Sequence, residues 1–419
     1  MIAAREAALL ALNDILYNGK YSNIAVKDML SKCRGMDKTE KAFFTNLVYG
    51  VISRHYTLEC VISKYSNIKL KKLARYVKII LEIGIYQMIY LDKIPESAAV
   101  NECVKLSKKY CKKGSERFVN GVLRGFCKDG CKLDLPDDLE IKYSFSSNMT
   151  KMLLKQYGQE FTENLMSALN ATPNMVLRPN ILKTTADNLS ILLKDIGISN
   201  ITTDFGMIVA DGFDVAMNKL YNDGYFTPQD RGAYTASIIL DPQRGEKIFD
   251  MCSAPGGKTT HIAELMGDSG EIIAFDIHPH KIDLINNTAK RLGLKSITAQ
   301  VWDSTVLNKT LINTADRVLC DVPCSGWGII RRKPDIKLSH TDLDELYNLQ
   351  HKILENSAEY VKSGGCLVYS TCTINRAENE EIISDFLDNH KEYEKTYEKT
   401  FYPHLDDCDG FFVCRLDKK

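Results

Sequence analysis

The sequence predicts a multi-domain chain: an all-α bundle, a small α+β subdomain, and a C-terminal α/β domain on a doubly wound, mostly parallel sheet. Three observations predict it. At 419 residues the chain is too long for one core. Up to about Asp129 apolar residues recur at three- and four-residue spacing, and from Lys247 onward the pattern becomes strand, turn and helix in repeated order. The 44% hydrophobic and 26% charged content is that of a folded soluble chain.

The bundle comes first. Ala7 to Leu16, Lys41 to Ser53, Val77 to Tyr90, Ser97 to Tyr110 and Ser115 to Phe126 read as helices joined by short polar breaks. Val77 to Tyr90 is the most apolar stretch, but Lys78, Glu82 and Gln87 interrupt it and it is short for a bilayer, so a buried helix is expected and no membrane partner. Met1 to Glu6 leads into an amphipathic pattern without the apolar core of a signal peptide, and a cytoplasmic location is expected. The zero net charge conceals an asymmetry: residues 1–133 hold 24 Lys+Arg against 12 Asp+Glu, and the rest 30 against 42. A basic half is expected of a chain that meets polyanions. Its densest run is Lys105 to Lys113, with five lysines and Tyr110; by itself such a run is more often a solvated helix face.

Leu133 to Asp138, with Pro136 and several acids, reads as a linker, which gives domains 1–133, 134–232 and 233–419. The middle region mixes short helical and strand-like pieces, among them Met175 to Asn180. In the last domain Ile248 to Asp250, Ile272 to Asp276, Ile297 to Val301, Arg317 to Asp321 and Cys366 to Ser370 are candidate strands. Helical segments at Thr259 to Met266, His280 to Leu292 and Asp344 to Val361 separate several of them. Ligands in such a sheet bind beyond the C-terminal strand ends.

Asp250-Met251-Cys252-Ser253-Ala254-Pro255-Gly256-Gly257-Lys258-Thr259-Thr260 stands at the first of those ends. Glycines there let backbone N–H groups approach a ligand, and the helix start that follows favours a negative group. A phosphate-binding P-loop needs a glycine separated by four residues from Gly257-Lys258-Thr259, but that neighbourhood offers Cys252 and Ser253, so nucleotide triphosphate binding is a minor alternative. Asp276, at the end of the second strand, is placed like the acid that binds ribose hydroxyls. These features leave NAD and S-adenosylmethionine both open. Cys324 and Cys372 each follow an apolar run at a strand end, where a thiol faces a ligand cleft. The 13 cysteines form no even framework, which favours reduced thiols. Cys111, Cys127 and Cys131 lack a C-x2-C pair, and no metal is expected.

The segment Asp250 to Thr260, Asp276, Asp303, Asp321-Val322-Pro323-Cys324-Ser325-Gly326 and Tyr369-Ser370-Thr371-Cys372-Thr373 together resemble, in order, the motifs of the Sun-type, S-adenosylmethionine-dependent RNA cytosine-5 methyltransferases. The resemblance extends through Arg331 to Asp335 and Glu378-Asn379-Glu380 to Asp409-Gly410-Phe411-Phe412. Phe43 to Val51, Ile94 to Glu102 and Arg117 to Arg124 resemble a NusB-type RNA-binding domain. That fusion is similar to the RsmB/Sun family of 16S ribosomal RNA enzymes, which implies a Rossmann-like catalytic domain, rRNA as partner, and a role in rRNA processing. A monomer is expected.

The resemblance implies the roles. Cytosine C5 is too weak a nucleophile to take a methyl group from a sulfonium, so the family attacks C6 with a thiolate. Cys372 is thereby the nucleophile, and Cys324 assists proton removal and product release. Asp321 is placed to hydrogen-bond the base near N3 and N4, and Lys258 to position it or lower a thiol pKa. The backbone from Cys252 through Ser253, Ala254, Pro255, Gly256 and Gly257 to Lys258 is implied to hold the methionine end of the cofactor. Asp276 is implied for its ribose, Asp303 for its adenine, and Asp321 lies beside it. Ser253, Trp327 and Ala377 depart from the residues usual in the family. A tRNA or 23S RNA methyltransferase is the alternative, and a non-catalytic RNA-binding or antitermination factor a lesser one.

Overall fold

A computed structural model describes residues 3–339 and 341–419. It falls into two compact units: residues 3–170 with the segment 332–339, and residues 171–331 with 341–419. Among the described residues no helix is long and apolar enough to cross a membrane.

In the first unit, helix Arg75–Tyr90 carries the most apolar stretch of the sequence and is buried on all sides from Ile79 to Gln87. Helices Ala4–Asn18, Lys38–Ser53, His55–Tyr65, Glu96–Tyr110 and Ser115–Lys128 pack with it, and Ser22–Lys32 joins them. Gly84 lies so close to Leu123 that a Cβ there would come within 2.9 Å of it. Lys38–Ser53 starts at a reciprocal cap in which the Asp37 carboxylate accepts from Glu40 N–H and the Glu40 carboxylate from Asp37 N–H. Helices Ser22–Lys32 and His55–Tyr65 bury Ala25, Val26 and Met29, and Leu58, Val61 and Ile62, at the same three- and four-residue spacing. Leu139–Tyr143, Ser147–Tyr157 and Gln159–Leu169 complete the unit.

The segment 332–339 enters this unit from the catalytic half of the chain. Ser22, at the start of its helix, donates to Asp335 at 2.5 Å. The fully buried Lys337 ammonium donates to the carbonyls of Ser53 (3.0 Å) and Tyr143 (3.2 Å), each the last residue of a helix, and to Asn170 Oδ1 (2.5 Å). It also stands over the Phe145 ring at 4.2 Å. Burial, with Arg54 nearby, pushes its pKa well down; three acceptors, two at the negative ends of helices, oppose that.

The second unit holds two sheets. A small antiparallel sheet of β1 (Met175–Pro179), β2 (Asn200–Thr202), β3 (Ile208–Ala210) and β4 (Phe226–Pro228) runs in the order β2-β3-β1-β4, with helix Ala186–Asp195 against it. The large sheet contains β5 (Lys247–Asp250), β6 (Glu271–Asp276), β7 (Ile297–Val301), β8 (Ala315–Asp321), β9 (Val361–Thr371), β10 (Tyr393–Phe401) and β11 (Phe411–Lys418). Its order is β10-β11-β9-β8-β5-β6-β7. All five strands read from the sequence are present and parallel; the buried apolar runs of β5, β6, β8 and β9 form the core with helices Leu343–Tyr360, Glu380–Asn389, Arg231–Leu240 and Gly257–Leu265, and β7 is a largely exposed edge strand. The sheet is therefore a mixed one: β10 and β11 add an antiparallel edge. From β5 the chain winds one way to β6 and β7, then crosses to β8 and β9. The crevice beyond the ends of β5 and β8 is thus the switch point at which such sheets bind ligands.

Candidate active site

β5 and β8 pair in register, Asp250 opposite Leu319, so the loops after Asp250 and Asp321 leave the sheet side by side. The first loop is shaped by its own backbone. Ser253 N–H donates to Phe275 O at 2.9 Å, Gly256 N–H donates to Ser253 O at 2.7 Å, and the Ala254–Pro255 peptide is cis. Gly256 has φ +98°, and a Cβ on it would stand 3.2 Å from Ile285 Cα, so only glycine fits before the helix Gly257–Leu265. The Thr259 hydroxyl donates to Asp250 Oδ2 at 2.6 Å, while Asp250 Oδ1 is buried without a hydrogen-bond partner. Burial, opposed by that hydrogen bond and reinforced by the Asp321 carboxylate, pushes the Asp250 carboxyl up to about 7.

A cleft of about 240 Å³ opens over this loop. Its walls are Asp250, Cys252 to Pro255, Gly257, Lys258 and Asp321, with Gln229 and Asp230 opposite. Asp276 and Asp303 do not line it. Asp276 ends β6 and accepts from His278 N–H at 3.0 Å, with Lys281 Nζ 3.7 Å away. Asp303, beyond β7, accepts from the Thr305 hydroxyl (2.7 Å) and N–H (2.9 Å), bonds that hold its carboxyl below the usual range. One of its oxygens therefore closes a local turn.

The two thiols converge. Cys324 follows β8, Cys372 follows β9, and their Sγ atoms are 3.2 Å apart. The hydrogen bond to Cys372, and then burial, push the Cys324 thiol well up. Lys258 Nζ lies 2.7 Å from Asp321 Oδ2, and Ser370 Oγ donates to Asp321 Oδ1 at 2.7 Å. Burial disfavours the Lys258 ammonium, but Asp321, then Cys372 and Asp250, outweigh it and hold the pKa above its usual value.

Glu378 staples the two cysteine loops together. Its buried carboxylate accepts from Ser325 N–H (2.7 Å), Ser325 Oγ (2.5 Å), Asn375 Nδ2 (3.0 Å) and Gln350 Nε2 (3.0 Å). Gln350 also donates to Pro323 O at 2.9 Å, and the Tyr369 hydroxyl to Glu378 O at 2.7 Å. Behind Cys372 the backbone is equally tight: Gly328 N–H donates to Cys372 O (3.0 Å) and Gly410 N–H to Gly328 O (2.9 Å). A Cβ on Gly328 would run into the Gly410 carbonyl. Arg331 Nε donates to Asp409 Oδ1 at 2.5 Å, tying the start of β11 to the same loop.

Residues 237–417 match the family of 16S rRNA methyltransferases RsmB/F. Residues 2–128 match the NusB family, and 146–214 the ferredoxin-like domain of RsmF/B-like methyltransferases. A protein of Synechocystis sp. named probable ribosomal RNA small subunit methyltransferase B is 37% identical over the whole of both chains. The chain belongs to the RsmB/Sun family of methyltransferases. A Bacillus subtilis protein of the same name is 35% identical over 100% of this chain and 99% of its own. The crystal structure of the protein PH0851 superposes with a TM-score of 0.82 at 25% identity, covering 100% of this chain and 98% of that one. In this methyltransferase the catalytic domain is Rossmann-like and the N-terminal domain NusB-like.

Several residues were given no role from the sequence: Asp250 with its unpaired oxygen, Ser370, Gln229 and Gln350. The partners of Ser370, Gln229 and Gln350 are far away in the chain, so no local spacing signals them, and Glu378 stands only within a quoted motif. Of the three cysteines weighed as metal ligands, Cys127 and Cys131 come within 4.8 Å of the Glu96 carboxylate, and Cys111 is not part of that group.

Proposed function

We propose that this methyltransferase transfers a methyl group from S-adenosylmethionine to C5 of a cytosine in the RNA of the small ribosomal subunit, through a covalent bond between Cys372 and C6. The observation that carries it is the pair of thiols 3.2 Å apart beside the Lys258–Asp321 pair. The relatives' names point to small-subunit RNA rather than tRNA or 23S RNA.

The cleft and the strand end beside it fit the cofactor on three counts. The glycine loop exposes backbone at a helix start, Asp250 Oδ1 is a buried acceptor without a partner for a cationic amino-acid end, and Asp276 stands at the next strand end. Cys252 to Lys258 would hold the methionine end, Asp276 the ribose and Asp303 the adenine, with Asp321 between cofactor and base. When bound, S-adenosylmethionine supplies the methyl group as an electrophile.

The protein does the rest. The Lys258 ammonium is in electrostatic reach of Cys372, the group that attacks C6. Asp321, its oxygens already held by Lys258 and Ser370, accepts from N4–H of cytosine and favours a proton on N3, which makes C6 electron-poor. The Cys324 and Cys372 sulfurs, 3.2 Å apart, share one hydrogen bond. In release, Cys324 gives its proton to the Cys372 sulfur as the C6–S bond breaks and takes the C5 proton in its place, so that C5=C6 re-forms and both cysteines end as thiols. The base must be unpaired or flipped, because C6 is shielded in a stacked helix.

Purified protein, labelled S-adenosylmethionine and unmodified small-subunit rRNA test the reading, with bisulfite sequencing to map the product. The expected result is one 5-methylcytosine in that RNA. Label confined to tRNA or 23S RNA, or at an atom other than C5, would overturn it.

A further inference from the structure

Arg178, on β1, is completely buried and uses all of its N–H donors. Nε and one Nη bind Glu264 at 3.1 and 2.9 Å, that Nη also reaches Thr260 Oγ1 at 3.2 Å, and the other Nη binds the Gly257 carbonyl at 2.8 Å and Gln229 Oε1 at 2.6 Å. Glu264, Thr260 and Gly257 all belong to the helix that begins at the glycine loop. Gln229 follows β4, whose Thr227 pairs with Arg178 in register, and Gln229 N–H donates to Val176 O at 3.0 Å. The main chain of Gln229 is fixed by the small sheet, and its side chain by Arg178.

A guanidinium is a donor only, so the atom of Gln229 that faces Arg178 must be the carbonyl oxygen. The amide is thereby locked with Nε2 turned the other way. That nitrogen lies 3.9 Å from where a Cβ on Gly257 would be, on the wall of the cleft. The other side chains there give an anion little to bind: Asp230, Asp250 and Asp321 are acids, and the Lys258 ammonium is engaged by Asp321.

We propose that Gln229 is a further binding residue, held donor-outward by Arg178 as its positioning residue, and that its Nε2–H binds the carboxylate at the amino-acid end of the cofactor. This rests on the reading of the cleft as an S-adenosylmethionine site. An amide suits the position because it offers a donor without adding a charge beside the buried Arg178–Glu264 pair.

Isothermal titration calorimetry of the full-length protein, with S-adenosylmethionine and with its decarboxylated analogue, tests it without turnover. Wild type should bind the carboxylate-bearing ligand more tightly. Gln229→Ala should weaken it roughly tenfold, the size of a hydrogen bond to a charged group, and leave the decarboxylated analogue unchanged. Arg178→Lys, which keeps the charge beside Glu264 but loses the fork, should show the same selective loss, with circular dichroism to confirm folding. Equal affinities of wild type and Gln229→Ala, or equal losses for both ligands, would overturn the proposal. If wild type binds neither ligand, the cofactor reading itself fails and this inference with it.

Discussion

Asp250 sits where a carboxylate is costly, and the cost gives a pH signature. Its folded pKa of about 7 exceeds the ordinary 3.8, so between those values the folded chain holds a proton that the unfolded chain has lost. Stability therefore falls as pH rises from about 4 to about 7 and is flat beyond, the reverse of the usual ion-paired carboxylate. Asp250→Asn removes the titration and keeps an oxygen for Thr259. Urea unfolding should find this variant more stable relative to wild type at pH 8 than at pH 5, by up to about 3 kcal/mol. An equal difference at the two pH values would show that the carboxyl does not titrate there. The glycine loop and both thiols were legible in the sequence because they flank apolar runs that end in turn residues. The state of Asp250 was not, since it depends on burial beneath Asp321, which lies 71 positions on in the sequence.

At the level of elements, the thiol pair is a property of two loops held in register by a third. β8 and β9 pair in parallel, Asp321 opposite Ser370, which brings the loop ends together, and Glu378 then fixes both. Glu378→Gln loses the charge on its hydrogen bonds with Ser325, Gln350 and Asn375. Turnover is expected to fall about a hundredfold or more, with S-adenosylmethionine affinity nearly unchanged because the cofactor loop is built separately. Calorimetry and single-turnover rates check the split; a proportional loss of binding would mean that Glu378 acts on the whole cleft. The parallel strands were legible as buried apolar runs. The antiparallel edge was not: β10 reads Tyr-Glu-Lys-Thr-Tyr-Glu-Lys-Thr-Phe and is largely exposed, and its pairing with β11 depends on contacts across a turn.

On the scale of the whole molecule, the chain returns to its first unit at residues 332–339 after the Cys324 loop. The helical periodicity up to about Asp129 and the linker after it mark the first domain, but nothing in the sequence signals that Lys337 ends in a cage of helix carbonyls. Lys337→Met preserves bulk and leaves the Ser53, Tyr143 and Asn170 acceptors unpaired, a loss on the order of 1–3 kcal/mol. Limited proteolysis should then cut within 332–339 faster than in wild type; an unchanged rate would mean that Asp335 alone holds the segment. The basic run is only partly committed: Lys109 pairs with Glu6 and Lys105 with Glu102, whereas Lys108, Lys112 and Lys113 are exposed. Replacing Lys108, Lys109, Lys112 and Lys113 should flatten the salt dependence of RNA binding, and an unchanged slope would return the run to a solvated surface. The central claim is that Cys372 attacks and Cys324 releases. Its most direct test is mass-spectrometric mapping of the covalent protein–RNA adduct formed by Cys324→Ala with small-subunit rRNA and S-adenosylmethionine. The account predicts a denaturant-stable adduct on Cys372, absent from the Cys324→Ala/Cys372→Ala double variant. An adduct formed on Cys324 when Cys372 alone is replaced would contradict it and reverse the two roles.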